Sequence, residues 1–158
     1  MSTTLPKVKD YMTTSVVTIT KDINVCKAIG LLLKHNISGA PVVDEDNLLI
    51  GILSEKDCLR IMANESFHEF PCGNVEEYMT LNPKSVAPDT DIFHVVDIFM
   101  HSVYRRTPVL ENGKLVGIIS RRDVLKAIQD LTSSTPDSTD GEYKTGYLTD
   151  EMKGSLVE

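Results

Sequence analysis

Two short stretches carry the side chains best suited to chemistry, Ser54-Glu55-Lys56-Asp57 and Ser120-Arg121-Arg122-Asp123. A serine followed three residues later by an acid is first a helix-start signature, in which each side chain satisfies a free backbone N–H. The same geometry suits an anion, because a helix start presents N–H donors and the positive end of its dipole. The serine hydroxyl adds a hydrogen bond, and the carboxylate can accept from paired hydroxyls of a sugar. Arg105 and Arg106 form a second candidate group. Charged pairs are ordinarily solvated surface features, yet a planar guanidinium binds phosphate bidentately and keeps its charge. With Arg121 and Arg122 they gather four arginines in one half of the chain and point to an anionic ligand at that end.

No catalytic or metal centre is expected. His68 and Cys72 fall short of the four ligands of a structural zinc site. His35, His94 and His101 fall on polar helix sides without an acid–nucleophile partner. Neither a GxxxxGK[ST] loop nor a GxGxxG after a strand is present.

The whole chain has 158 residues, net charge −7, with 41% hydrophobic and 25% charged residues, an ordinary globular composition. An acidic balance argues against binding nucleic acid through a general electrostatic footprint. No apolar run approaches the roughly 20 residues that span a bilayer, so no membrane insertion is expected. Three widely spaced cysteines and an N-terminus without an apolar core fit a cytoplasmic location. Residues 132–158 carry six acids against two lysines. The run from Thr132 to Gly141 has no large apolar residue to offset its ordering entropy, and is expected to be a flexible tail.

The elements that must position these side chains come from a repeat. With one residue skipped near Asp46, residues 8–60 align with 75–126, matching at Val8/Val75, Tyr11/Tyr78, Met12/Met79, Pro41/Pro108, Gly51/Gly117, Ser54/Ser120 and Asp57/Asp123, among others. Val25, Ala28, Ile29, Leu32 and Leu33 keep helical spacing, as do Ile92, Val95, Val96, Phe99 and Met100. Paired β runs follow, 40–43 with 48–53 and 107–110 with 115–119, the second pair joined at the hairpin signal Asn112-Gly113. A closing helix starts at Ser54 or Ser120, directing Cys58, Leu59, Ile61 and Met62, or Val124, Leu125 and Ile128, inward. Short strands near 17–19 and 85–86 complete a mixed α/β fold, two β-α-β-β-α repeats about a pseudo-two-fold axis. About 55 residues are marginal alone, so the copies should pack together. The expected division is repeat one over 1–64, a linker over 65–74, repeat two over 75–131 and an acidic tail over 132–158. Tyr11-Met12 and Tyr78-Met79 should anchor each entering segment to the core.

These repeats resemble a tandem pair of cystathionine-β-synthase (CBS) domains, the Bateman module. The resemblance rests on DYMT and EYMT, TITKD and SVAPD, GAPVV and RTPVL, and Gly-Ile-x-Ser-x-x-Asp in both copies. It implies a regulatory sensor rather than an enzyme, usually a homodimer, with no required cofactor. Its ligand would be an adenine nucleotide (AMP, ADP or ATP) or S-adenosylmethionine, bound between the copies, and its partner a separate enzyme or transporter. The alternative is a scaffold with vestigial sites. By the same resemblance, Ser54 and Ser120 touch phosphate and Asp57 and Asp123 hold ribose. Arg105 and Arg106 clamp phosphates, and Arg121 adds to the same basic end. Thr18, Ile19, Thr20, Ser85, Val86 and Ala87 lie at the base, and Ala40, Thr107 and Pro108 form the wall. The first copy has Ser38-Gly39 where the second has Arg105-Arg106. It is therefore expected to take a nucleoside-like ligand or nothing, rather than a polyphosphate.

Overall fold

The computed structural model describes residues 4–64 and 73–133. His68, Cys72 and the tail from residue 134 lie outside the described residues. In chain order the elements are α1 (Val8–Tyr11), α2 (Val25–Lys34), β1 (Gly39–Val43), β2 (Leu49–Ser54), α3 (Glu55–Asn64), a 3-10 turn (Val75–Glu77), β3 (Thr80–Leu81), α4 (Ile92–Met100), β4 (Arg106–Glu111), β5 (Lys114–Ser120) and α5 (Arg121–Ser133). The mixed α/β order repeats as the duplication requires. Thr132 and Ser133, assigned to the tail by composition, continue α5, where the Thr132 hydroxyl donates to the Gln129 carbonyl at 2.9 Å.

Local chemistry sets the boundaries. Asn24 caps α2 by accepting from the Cys26 N–H, and Asp91 caps α4 by accepting from the His94 N–H, each at 2.9 Å. The β4–β5 hairpin turns through Asn112 and Gly113 at φ 52° and 79°, the left-handed pair that a tight primed turn demands. Asn47, at φ 62°, turns the β1–β2 hairpin. The two hairpin tips then join. Leu115 N–H donates to the Asn47 carbonyl at 3.1 Å and Leu49 N–H to the Gly113 carbonyl at 3.2 Å.

Each repeat has its own apolar cluster. The first gathers Val25, Ala28, Leu32, Val42, Leu53 and Ile61, the second Val86, Ile92, Val95, Phe99, Val109, Ile119 and Val124. The entering segments are exchanged between them. Val8, which opens the first copy, lies in the second cluster, and Val75, which opens the second copy, lies in the first; both are fully buried. The strands follow suit. β3 pairs antiparallel with β2, Thr80 opposite Ile52, while Thr13 and Ile118 exchange two backbone hydrogen bonds of 2.9 Å. Met12 and Met79 lie against the second and first clusters, as anchors should.

Some expectations fail. The strands near 17–19 and 85–86 are single parallel bridges, Ile19 to Val42 and Val86 to Val109. Prolines 41 and 108 supply only carbonyls to these pairings and have no N–H with which to extend them toward residues 17 and 84. Leu59 and Leu125 are 70% and 65% exposed, not inward, and Ile128 is also exposed. α3 and α5 instead bury Asp57 with Ile61, and Asp123 with Val124 and Ala127, because the capping carboxylate must face its serine. Leu33 and Met100 are exposed at the last turn of their helices; eight residues on from Val25 and Ile92, they have drifted about 80° around the axis.

The exchange needs glycine where the segments cross. A Cβ on Gly51 would stand 2.8 Å from Met79 Sδ and 2.9 Å from the Thr80 carbonyl oxygen, and one on Gly117 would stand 2.7 Å from Met12 Sδ and 3.0 Å from the Thr13 carbonyl oxygen. Methionine can yield, but the paired backbone cannot. Gly51→Ala and Gly117→Ala should each cost about 1–3 kcal/mol as overpacked sites, read as a lower midpoint in thermal unfolding. A second prediction concerns Tyr11, whose hydroxyl donates to Asp130 Oδ2 at 2.9 Å and ties α1 to α5. That bond, then burial and the negative charge of Asp130, raise the Tyr11 pKa above 10.0. The bond's contribution to stability is therefore intact below that value and is lost as pH rises through the raised pKa. In an ultraviolet titration, Asp130→Asn should bring one tyrosine transition back toward the ordinary range.

Candidate functional site

Both capping boxes form as the spacing requires. Asp57 Oδ2 accepts from the Ser54 N–H at 2.9 Å and the Ser54 hydroxyl at 2.7 Å, and the Ser54 oxygen accepts from the Asp57 N–H at 3.2 Å. Ser120 and Asp123 repeat this at 2.9, 2.6 and 3.2 Å. One consequence was not legible from the motif. Each serine's single proton is already given to the carboxylate, so the hydroxyl has none to offer a phosphate. The other carboxylate oxygen is less committed. Asp57 Oδ1 accepts from the Thr80 hydroxyl at 3.3 Å and lies 3.7 Å from Arg60 Nη1, whereas Asp123 Oδ1 lies 3.7 Å from Lys126 Nζ. Thr80 belongs to the second copy's entering strand, so the first capping box also fastens the two repeats together.

Two clefts open beside these helix starts. The first, about 370 Å³, is bounded on one side by Ser38–Pro41 and Ser54–Asp57 of repeat one. On the other side stand Val103, Tyr104, Arg105 and Arg106 of repeat two, with Thr80, Pro83, Ile52 and Ile118 along the walls. The second, about 660 Å³ and more open, is its counterpart under the repeat. Arg105, Arg106, Ser120, Arg121 and Arg122 come from repeat two, and Asn36, Ile37 and Ser38 from the matching turn of repeat one, with Glu55. Both volumes are in the range of ligand sites.

The placement of the arginines adds to the sequence reading of the first copy. Arg105 and Arg106 line the first cleft as well as the second, so the first copy does have basic groups at its cleft, supplied from across the interface. Among the described residues, none of Arg105, Arg106, Arg121 and Arg122 makes an ion pair. Arg121 donates to the Ser102 carbonyl at 3.3 Å and stands 6.0 Å from the Phe99 ring centre. The second cleft thus carries four guanidiniums and the one carboxylate of Glu55.

Of the expected site residues, the first cleft brings together Ala40, Ser54, Asp57, Arg105 and Arg106, and the second Arg105, Arg106, Ser120 and Arg121. Thr18, Ile19, Thr20, Ser85, Val86, Ala87, Thr107, Pro108 and Asp123 line neither. Ile19 and Val86 are core residues whose N–H and C=O are used in the parallel bridges, and Thr107 and Pro108 are fully buried. The Thr107 hydroxyl has no hydrogen-bond partner among the described residues. Tyr104, Val103, Pro83, Thr80 and Ile118 were missed. Their only signal was the repeat, which pairs Val103 and Tyr104 with Asn36 and Ile37. No group of three metal-ligating side chains occurs among the described residues, and no helix among them is long and apolar enough to cross a membrane. The Cys58 thiol, half-buried beside Asp57, is pushed up in pKa by burial first and by that charge second, so it is a poor nucleophile near neutrality.

The fold is a duplicated α/β module with two clefts, each lined by residues of both copies. The chain belongs to the CBS domain family, whose profile matches residues 8–64 and 75–130. It is similar to a 17.7 kDa protein of Acidianus ambivalens, 32% identical over 152 residues, covering 96% of this chain and 85% of that protein. It is also similar to inosine-5'-monophosphate dehydrogenase of Aquifex aeolicus, 34% identical over 112 residues, which is 70% of this chain but 22% of the enzyme. Among solved structures, CBSX2 in complex with AMP matches with TM-score 0.71 and 27% identity over 80% of this chain and 98% of that one. The CBS domain pair of MJ0100, in complex with 5'-methylthioadenosine and S-adenosyl-L-methionine, matches with TM-score 0.70 and 26% identity, again over 80% and 98%.

The capping boxes yield a comparison between the copies. Asp57→Ala and Asp123→Ala each lose a cap worth about 1–2 kcal/mol. Asp57→Ala should cost more, because it also releases Thr80 of the other repeat. Urea unfolding of the two variants checks this, and equal losses would show that the Thr80 contact contributes nothing.

Proposed function

We propose that this protein is a regulatory sensor that binds an adenosine-containing ligand, most simply AMP, ADP or ATP, in the first cleft. The observation that carries the reading is the meeting, across one cleft, of Asp57 from repeat one with Arg105 and Arg106 from repeat two. Asp57 Oδ1 would accept from the ribose hydroxyls in place of Thr80, and the arginines would take the phosphate. Ala40, Pro41, Ile52 and Tyr104 offer an apolar seat for the base. The complexes of CBSX2 with AMP and of MJ0100 with adenosyl compounds support the ligand class.

The cleft has walls from both repeats, so a ligand that bridges them favours one relative arrangement over others, and occupancy becomes a change in shape. A separate enzyme or transporter would read that change; the sensor itself needs no cofactor and performs no chemistry. The exposed Leu33, Phe93, Met100 and Leu125 supply apolar helix surface on which a second copy would pack as a homodimer.

A thermal-unfolding panel with AMP, ADP, ATP and S-adenosylmethionine tests the reading. A ligand at about 100 times its Kd should add about 2.7 kcal/mol and raise the midpoint by several degrees. The shift should shrink in Arg106→Ala. No shift with any of the four, in protein shown to be free of carried-over nucleotide, would leave a scaffold with empty sites.

A further inference from the structure

The two clefts are not separate. Ser38, Glu55, Arg105 and Arg106 line both, so the arginine pair is a shared wall. The clefts also differ in character. The first carries the apolar side chains and the buried carboxylate of Asp57, with Arg105, Arg106 and Lys56 set against Glu55 and Asp57. The second is wider and carries four arginines against Glu55 alone, with Ile37 as its one large apolar side chain. The repeat makes this an acquired asymmetry, since Arg121 and Arg122 stand where the first copy has Glu55 and Lys56, and Arg105 and Arg106 where it has Ser38 and Gly39.

Resting on the reading above, we propose that the two clefts work as one extended site for a nucleoside polyphosphate. The nucleoside sits in the first cleft, and its phosphate chain runs past Arg105 and Arg106 onto Arg121 and Arg122. The α5 start adds its dipole to the same groove. A monophosphate reaches only the shared pair. A triphosphate engages the whole set, which no carboxylate among the described residues neutralises by an ion pair. Because the chain of one ligand fills the groove, a triphosphate binds once per protein chain.

Isothermal titration of the full chain in EDTA, with AMP, ADP and ATP, reads this directly. Affinity should rise in that order, with ATP at least about tenfold tighter than AMP, as added charge-assisted hydrogen bonds allow. ATP should bind with a stoichiometry of one. In Arg122→Ala, an exposed side chain whose loss leaves both capping boxes in place, the ratio of ATP to AMP affinity should fall toward one. Inorganic triphosphate should compete with ATP in the wild-type protein and much less in the variant. Equal affinities for AMP and ATP, two ATP molecules per chain, or a ratio unmoved by Arg122→Ala would overturn the extended site while leaving the adenosine reading intact. Failure of all three nucleotides with S-adenosylmethionine still binding would overturn the extended site alone, and failure of all four would overturn both.

Discussion

The exchange of entering segments is the constraint on which the rest of the structure depends. Neither copy buries a complete core from its own residues. Val8 fills the second cluster and Val75 the first. The crossing strands then pair with the opposite hairpin at Ile118 and Ile52, over glycines that admit no side chain. A repeat of this size is marginal alone, and the exchange makes each core depend on residues of both copies. It also fixes the clefts. The turns at 36–38 and 103–105 face each other's helix starts because the hairpins they precede are held in register by that pairing.

From this follows the economy of the capping box. In each copy the serine and the aspartate first stop a helix from fraying, and only the second carboxylate oxygen remains for other use. In the first copy that oxygen accepts from Thr80, so the group proposed to meet ligand already senses the other repeat. A ligand that displaces Thr80 exchanges an inter-repeat contact for one of its own.

Much of the fold was legible in the sequence. Apolar spacing marked both long helices, Asn112-Gly113 marked a hairpin, and Ser-x-x-Asp marked two helix starts, since each signal depends on residues within a few positions of one another. The resemblance to CBS pairs was equally direct, because its motifs occur in order and twice. What escaped depends on contacts between copies. Arg105 and Arg106 were read as serving their own repeat, yet they also border the cleft of Asp57. Thr80 and Tyr104 gave no local signal at all. Leu59 and Leu125 looked like core residues by hydrophobicity, but the buried carboxylate sets the helix rotation and turns them outward. The stretches 18–20 and 85–87 rest on family resemblance alone, and they line neither cleft. Their central residues, Ile19 and Val86, are core, and their backbone groups are engaged with the strands carrying Pro41 and Pro108.

On the proposed reading the seam between the copies is a nucleotide seat, with the sugar on repeat one and the phosphates on repeat two. A crystal structure of the protein with ATP tests this most directly. Ribose hydroxyls should lie within hydrogen-bond distance of Asp57 Oδ1, with the Thr80 hydroxyl displaced from it and phosphate oxygens on Arg105 and Arg106. Nucleotide bound away from both clefts, or a ribose that does not approach Asp57, would contradict it.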